Sequence, residues 1–553
     1  MRKVLILQFS LIMLTVAAQA GTYQDVVAIL NNSCAFSSCH DASNPIAGLD
    51  LSLTGTDLYT QIVNVVPQNS AAAAKNNFLI KPGDPGRSYL YRKMNWGLHE
   101  DSNIDASEGQ PMPTGSALTE KDRELVRQWI LFGARNNTTT YVDPNVIEEY
   151  YTIGGLTPLV PPAPPAADEG FQLHFGPIFL EPGEEIEYVY KYELQNDEAF
   201  EVPRIDLQMN AESHHFLFFD FNSGAANNQN DGLIPVGLSS GGNAITYDTR
   251  MIGGWAYSRD LALPNGTAYT IEENTVLKYN YHIANYSQTS ILPAEVYINV
   301  YTQDIGEAVM EMQSEFAIQI DPGSGDGFLW TQGQSTHNWH LTEFGNFPGN
   351  SDIHFWSLGS HTHQWGTDFD MYLNDGGNFG EQVYEGHYNF DYSFNQGFYD
   401  YGEPAFRVLD DFLTVKANDG LHIQAQYDNQ SGGIVTFGLT TEDEMFGVFL
   451  QYLVGDLSLL PNPVSTQEIE QELIEVNLFP NPTNGMINLV SPKQVQNNSI
   501  VQVYNLQGQK IVDEYWLAND NFKTIDLSNF AKGSYVILVK NEEGIFTEKV
   551  SLQ

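Results

Sequence analysis

Cysteine is nearly absent from this chain: among 553 residues there are two, Cys34 and Cys39. No disulfide framework can be built from one pair so close in sequence. Positive charge is scarce as well, with 24 Lys and Arg against 69 Asp and Glu, a net charge of −45. A surface that acidic repels nucleic-acid phosphates and anionic membrane surfaces, so neither is expected as a partner. Long apolar runs are missing after the first twenty residues, and no transmembrane segment is expected.

What is present starts with a leader. Arg2 and Lys3 precede an apolar run from Val4 to Ala18, broken by Gln8, Ser10 and Thr15, and Ala18-Gln19-Ala20 fits a small-x-small cleavage site. Residues 1–20 therefore read as a signal peptide, and the rest is expected outside the cytoplasm. Hydrophobic residues at 42% and aromatics at 12% suffice for real cores.

The texture changes along the chain and predicts a multidomain protein. Residues 21–140 read as a small α-helical domain. Its clearest helix opens at Thr119, an N-cap with Asp122 three positions on, and carries Leu125, Val126, Trp129 and Ile130 on one face. Gly133 offers its stop. Residues 141–170 read as a linker, because Thr157 to Ala166 alternates Pro with small residues as a stiff spacer does. From Phe171 to about Asp456, short runs rich in Val, Ile, Tyr and Phe alternate with Gly, Asn, Asp and Ser clusters. That pattern predicts two all-β sandwiches of jelly-roll type, at 171–305 and 306–457. An acidic linker at 458–476 and a small β-sandwich at 477–553 complete the chain.

Four segments carry chemistry. Cys34 and Cys39 are followed at once by His40. Two thiols can add to the two vinyl groups of a haem, and the adjacent His can reach its iron. The spacing of four residues between the thiols is wider than the usual two. Downstream, Ile80 to Leu90, Pro111-Met112-Pro113 and Leu118 to Ala134 resemble a bacterial cytochrome c domain family. That resemblance implies a covalent haem c on Cys34 and Cys39, with His40 and Met112 as axial ligands. Met94 or His99 could stand in for Met112. The alternative is a short-range disulfide with Met112 as a core or loop residue.

The β region holds His214-His215, a lone His282, and His361-Thr362-His363. Adjacent histidines on a regular strand face opposite ways, so His214 and His215 can share a metal only if the strand is bulged or twisted. A His-x-His pair on a strand puts both rings on one face, and such a pair serves zinc, iron and copper alike. His337, His340, His354, His387 and His422 read as structural.

These segments, with Gly254-Trp255-Ala256 and the run from Gly438 through Asp443-Glu444-Met445, resemble the type II, ascorbate-dependent copper monooxygenases, the family of peptidylglycine α-hydroxylating and dopamine β-monooxygenases. The resemblance spans roughly residues 171–457. It implies two copper ions, one on His214, His215 and His282, the other on His361, His363 and Met445. It implies hydroxylation of an sp³ C–H bond by O₂, with His361, His363 and Met445 at the catalytic copper. Two electrons per turnover would come from an ascorbate-like reductant or a redox protein, with the haem as a possible relay. The sequence departs from the eukaryotic members in having no cysteine within these sandwiches.

The tail, with Asn477-Leu478-Phe479-Pro480-Asn481-Pro482, Val501 to Lys510, and Gly533 to Val539, is similar to the C-terminal sorting domain of type IX secretion in Gram-negative bacteria. It implies the secretion machinery as partner and a surface or secreted location. The organic substrate is not legible. The rival reading is a non-catalytic secreted binding or adhesion protein on the same two sandwiches, and a third is a zinc or iron site on His361 and His363 alone.

Overall fold

The computed structural model describes residues 21–210, 212–221, 231–235, 249–255, 258–319, 329–342, 344, 347–386, 406–438, 442–461, 476–491, 499–505, 510–517, 521–528, 530, 532–540 and 545–552. The predicted signal peptide, the Gly-rich stretch 321–327, His387 and most of the acidic linker lie outside them. The described chain is mostly β-sandwich sheet with few helices. It divides into two compact units, Met1–Asp456 and Leu457–Gln553.

The helices cluster at the start of the first unit. Helix Glu120–Leu131 begins where expected, with the Thr119 hydroxyl accepting from the Asp122 N–H at 3.1 Å. It runs out beside Gly133, whose φ of +88° an L side chain rarely adopts. Val126, Trp129 and Ile130 pack against Tyr23, Val26 and Leu30 of helix Thr22–Ser33, with Tyr23 stacked on Trp129 at 5.5 Å.

The stretch read as a linker is more built than its composition suggests. Asp143 caps a helix, Pro144–Ile153, with Pro at its first position. The Pro-rich residues then lie along the sheet: Pro162 O accepts from Gln172 Nε2 at 3.0 Å, and Ala163 O from Asn299 Nδ2 at 3.0 Å.

Two layers make the first sandwich. In one, Phe200–Met209 is flanked by Thr267–Ile271 and Leu292–Gln303, and Gly170–Leu180 pairs outside the last. In the other, Ser213–Phe221 lies between Thr249–Trp255 and Val276–Ala284, followed outward by Glu185–Glu193. Aromatic side chains fill the space between, among them Phe175, Tyr190, Phe216, Tyr279 and Tyr281.

The second sandwich sets Asp352–His361, Gly447–Val454 and Gln313–Ile318 against a sheet of Gly333–Leu341, Leu421–Asn429, Gly366–Asp375 and Asn378–Gly386. The two halves share a sheet: Gln313–Ile318 pairs along Gly447–Val454 and also touches Thr249–Trp255 at Ser314 and Met251. Leu217, Phe219 and Met251 pack there with Phe316 and Phe449. Gly254 makes the closeness possible, since a Cβ on it would stand 2.7 Å from Met251 Cε and 3.1 Å from Phe449 Cε1.

The helical module is seated on the first sandwich. Arg127 Nη1 donates to Gly176 O at 2.8 Å, its Nη2 donates to Pro177 O, and Gln128 Nε2 donates to Pro177 O at 2.8 Å. Beneath them lies the fully buried Glu124, which takes Arg127 Nε at 2.8 Å, Gln128 Nε2 at 2.7 Å, His99 Nε2 at 2.6 Å and Tyr151 OH at 3.2 Å. His174 reaches across between Asp101 and Glu295, 3.1 Å from each, and stacks on Tyr297 at 4.2 Å. Three glycines meet backbone to backbone: a Cβ on Gly83 would stand 2.7 Å from Gly232 N, and one on Gly232 would stand 2.4 Å from Gly133 N.

The second unit carries seven described strands in two sheets. Alternate residues Ile487 and Leu489, Val501 and Val503, and Ile537 and Val539 point inward around Trp516, as the two-residue period of a half-buried strand requires.

Candidate metal centre

Strand Ser213–Phe221 runs antiparallel to Val276–Ala284 with His215 opposite His282. The register then slips, for Ile283 pairs with Ser213, and His214 becomes the extra residue of a β-bulge. A bulge is what an adjacent histidine pair needs to serve one site. The His214 side chain lies outside the described residues. His215 and His282 are both buried, with ring centres 5.3 Å apart. His282 Nε2 stands 2.8 Å from Glu185 Oε1. With a carboxylate as acceptor, Nε2 carries the hydrogen and Nδ1 keeps the lone pair.

Strand Asp352–His361 ends at its histidine, so His363 does not continue the strand face as the sequence suggested. It sits in a turn closed by the Gly366 N–H donating to His363 O at 3.2 Å. The turn still brings the pair together, ring centres 5.3 Å apart and nearly perpendicular at 87°. His363 Nδ1 lies 3.3 Å from Asp443 O, which assigns its hydrogen to Nδ1 and leaves Nε2 as the donor nitrogen. Met445 is buried two residues further on, and its carbonyl accepts from Tyr427 OH at 2.8 Å.

The two predicted histidine sets meet. His215, from the first sandwich, has its ring centre 5.6 Å from that of His361, from the second. Phe316 and Phe449, stacked at 4.3 Å, wall His361 at 5.6 and 5.9 Å. Burial, and then the neighbouring imidazoles, holds His215 and His361 well below the ordinary histidine value. Both are therefore neutral, the form that ligates metal. Two imidazoles bound to one tetrahedral ion stand about 5 Å apart, centre to centre, given metal–nitrogen bonds of about 2 Å. The pairs His215–His282 and His361–His363 have that separation already. Among the described residues, no group of three His, Cys, Asp or Glu is close enough as it stands to hold an ion. Buried imidazoles so paired suit a transition-metal ion.

Sequence reasoning missed Glu444. It is fully buried, and its carboxylate accepts from the backbone N–H groups of His363, Trp365 (3.0 Å) and Met445 (2.8 Å). Burial pushes its carboxyl up to about 8, against the pull of those three donors. Its position inside Asp-Glu-Met is the only sequence signal that could have found it. Of the histidines expected to be structural, His354 is satisfied by Thr414 Oγ1 and Gly455 O, both at 2.8 Å, and His340 stacks on His422 at 4.1 Å.

In the helical module Cys34 and Cys39 are free thiols, and burial pushes Cys34 up to about 11. His40 Nδ1 lies between Ile46 O (3.1 Å) and Leu49 O (3.3 Å), so Nε2 is its lone-pair nitrogen. The Met112 N–H donates to Lys93 O at 2.7 Å, and its carbonyl accepts from Trp96 Nε1 at 3.1 Å. Phe36, Ile46 and Trp96, neighbours of these residues, are exposed apolar side chains. Two thiols, an imidazole, a thioether and uncovered apolar side chains are groups that a covalent haem would use. Of the alternatives to Met112, His99 is engaged with Glu124, and Met94 is packed in the module core.

Residues 477–553 match the family model described as the secretion system C-terminal sorting domain. The protein is exported by the type IX route, to the cell surface or beyond it. No described helix is long and apolar enough to cross a membrane. No curated protein matches the sequence. Among solved structures, similarity is found to a β-glucuronidase of Parabacteroides merdae, at 11% identity over 46% of this chain and 31% of that one, with a TM-score of 0.13. A Faecalibacterium prausnitzii β-glucuronidase is similar at 11% identity over 44% of this chain and 46% of that one, with a TM-score of 0.15. The chain thus spans less than half the length of these enzymes, and overlaps this low bear on neither fold nor activity.

Proposed function

We propose that this chain is an exported, copper-dependent monooxygenase that hydroxylates an sp³ C–H bond of an organic substrate with O₂ and two external electrons. A covalent haem c in the helical module is their point of entry. The observation that supports the reading best is the buried run His282–His215–His361–His363, built from two sandwiches with contacts of 5.3, 5.6 and 5.3 Å. Copper bound there would supply one-electron redox chemistry toward O₂.

This chain's own residues do the rest. His214, His215 and His282 would hold one ion. His361, His363 and Met445 would hold the other, the thioether favouring its reduced state. Glu185 and the Asp443 carbonyl fix which nitrogen of His282 and of His363 is offered. Phe316 and Phe449 keep water from the flank of His361. In the helical module Cys34 and Cys39 would bond the haem, with His40 and Met112 on its two sides.

The test is the metal and haem content of the full-length protein, with Met445→Ala beside it. Two coppers and one haem per chain are expected, with O₂ uptake that the variant loses together with tight Cu(I) binding at one ion. No tight copper, or zinc in its place, would overturn the reading. A second reading, a non-catalytic binding protein, is favoured by one observation: no three His, Cys, Asp or Glu of the described residues converge on a point. Copper content separates the two.

A further inference from the structure

The segments that carry His363 and Met445 lie about eighty residues apart in sequence, yet a single side chain spans both. Glu444 reaches out of its own segment and accepts from the N–H groups of His363 and Trp365, and also from Met445 N–H next to it. Around it the backbone is closed. Glu444 N–H donates to Thr436 O at 3.1 Å, and Gly438 N–H donates to Glu444 O at 3.4 Å. A Cβ on Gly438 would stand 2.1 Å from Asp443 Oδ2, so only a glycine lets Asp443 sit there and offer its carbonyl to His363.

The turn 363–365 aims its N–H groups inward rather than along a strand, and the two oxygens of one side chain take three donors, Oε1 those of His363 and Met445 and Oε2 that of Trp365. A Gln in the same place could keep its oxygen where Oε1 takes both His363 and Met445 N–H, and would turn its N–H₂ only toward Trp365 N–H. An Ala would take this acceptor away from all three buried donors.

We infer that Glu444 is a positioning residue, the bracket that sets His363 and Met445 at one fixed spacing before any metal arrives. This rests on reading His361, His363 and Met445 as a ligand set. Glu444 touches neither metal nor substrate in this role. It acts through the backbone of the two ligands and so holds the site ready.

Two measurements test it on the full-length protein. In the metal-free wild type, the amides of His363, Trp365 and Met445 should be among the slowest to exchange in the second sandwich, and adding Cu(I) should slow them little further. Fast exchange that Cu(I) then suppresses would overturn the inference, because the metal would be doing the positioning. In Glu444→Ala, which removes the oxygen shared by His363 and Met445, Cu(I) titrated against a chromophoric chelator should bind about 10–100-fold more weakly at the thioether site. The sulfur contribution to its X-ray absorption should fall, while the ion on His215 and His282 binds as before. Wild-type Cu(I) affinity and sulfur signal in the variant, with only its melting temperature lowered, would reduce Glu444 to a structural part. Should the wild type show no copper–sulfur contact at all, the ligand reading falls and this inference falls with it. A retained contact in wild type and variant alike sinks this inference only.

Discussion

Replacing Arg127 with Met should loosen the helical module from the sandwich beneath it and reverse a pH dependence. Arg127 is fully buried, and its three donor groups serve Glu124, Gly176 O and Pro177 O. Burial by itself would raise the Glu124 carboxyl. The Arg127 guanidinium, followed by His99, outweighs that and holds it down to about 2, against an ordinary 4.5. A carboxyl whose folded value is depressed adds stability above its unfolded value and loses it as pH falls toward the folded one. In the wild type this contribution is whole above about pH 4.5 and fades toward pH 2. In Arg127→Met burial wins, the folded value rises above 4.5, and stability instead drains away as pH climbs toward neutrality.

At pH 7 the variant keeps a buried carboxylate without its cation, a loss of about 3–5 kcal/mol. At about 1.4 kcal/mol per factor of ten, amides of helix Glu120–Leu131 should exchange at least about 100-fold faster. Adding Glu124→Gln to Arg127→Met removes the stranded charge and should restore most of the protection. Exchange within about threefold of wild type at pH 7 would refute the reasoning, and so would a double variant no better than the single one.

Three further outcomes are expected. Glu185→Ala should weaken copper on His215 and His282 about 10–100-fold in a competition titration, leaving the other ion untouched, because only His282 loses its orienting partner. Gly232→Ala should make residues 21–140 readily clipped by a protease, since its Cβ would stand 2.4 Å from Gly133 N at a φ of +82°, a conflict costing more than about 2 kcal/mol. A chain ending before residue 477 should be found inside the cell envelope on fractionation, having lost the sorting domain.

The parts of this molecule that were legible in its sequence are those written in local pattern. Thr119, the apolar face from Leu125 to Ile130, and Gly133 announce their helix, because capping and periodicity act within a few residues. The alternating runs announce the sandwiches for the same reason. The histidine pairs could be picked out, but not how they meet: the contact of His215 with His361 depends on one sandwich folding against another. Glu444 was silent because its partners are backbone N–H groups, which every residue has. The clamp of His174 between Asp101 and Glu295 joins residues 73 and 121 positions apart. Helix Pro144–Ile153 was there to be read from Asp143 and Pro144, but the prolines that follow drew the reading toward a spacer.

The bulge at His214 bears on how such a site can be gained or lost. Along an unbroken strand, substitution alone cannot bring two neighbouring side chains to one surface, since each step reverses the direction they point. One added residue can. The converse bears on the proposed ligand set: removing a single residue near His214, with every histidine kept, would restore the strand's alternation and set the two positions on opposite faces. The proposed centre could thus be dismantled by a change of length that leaves its whole list of proposed ligands intact.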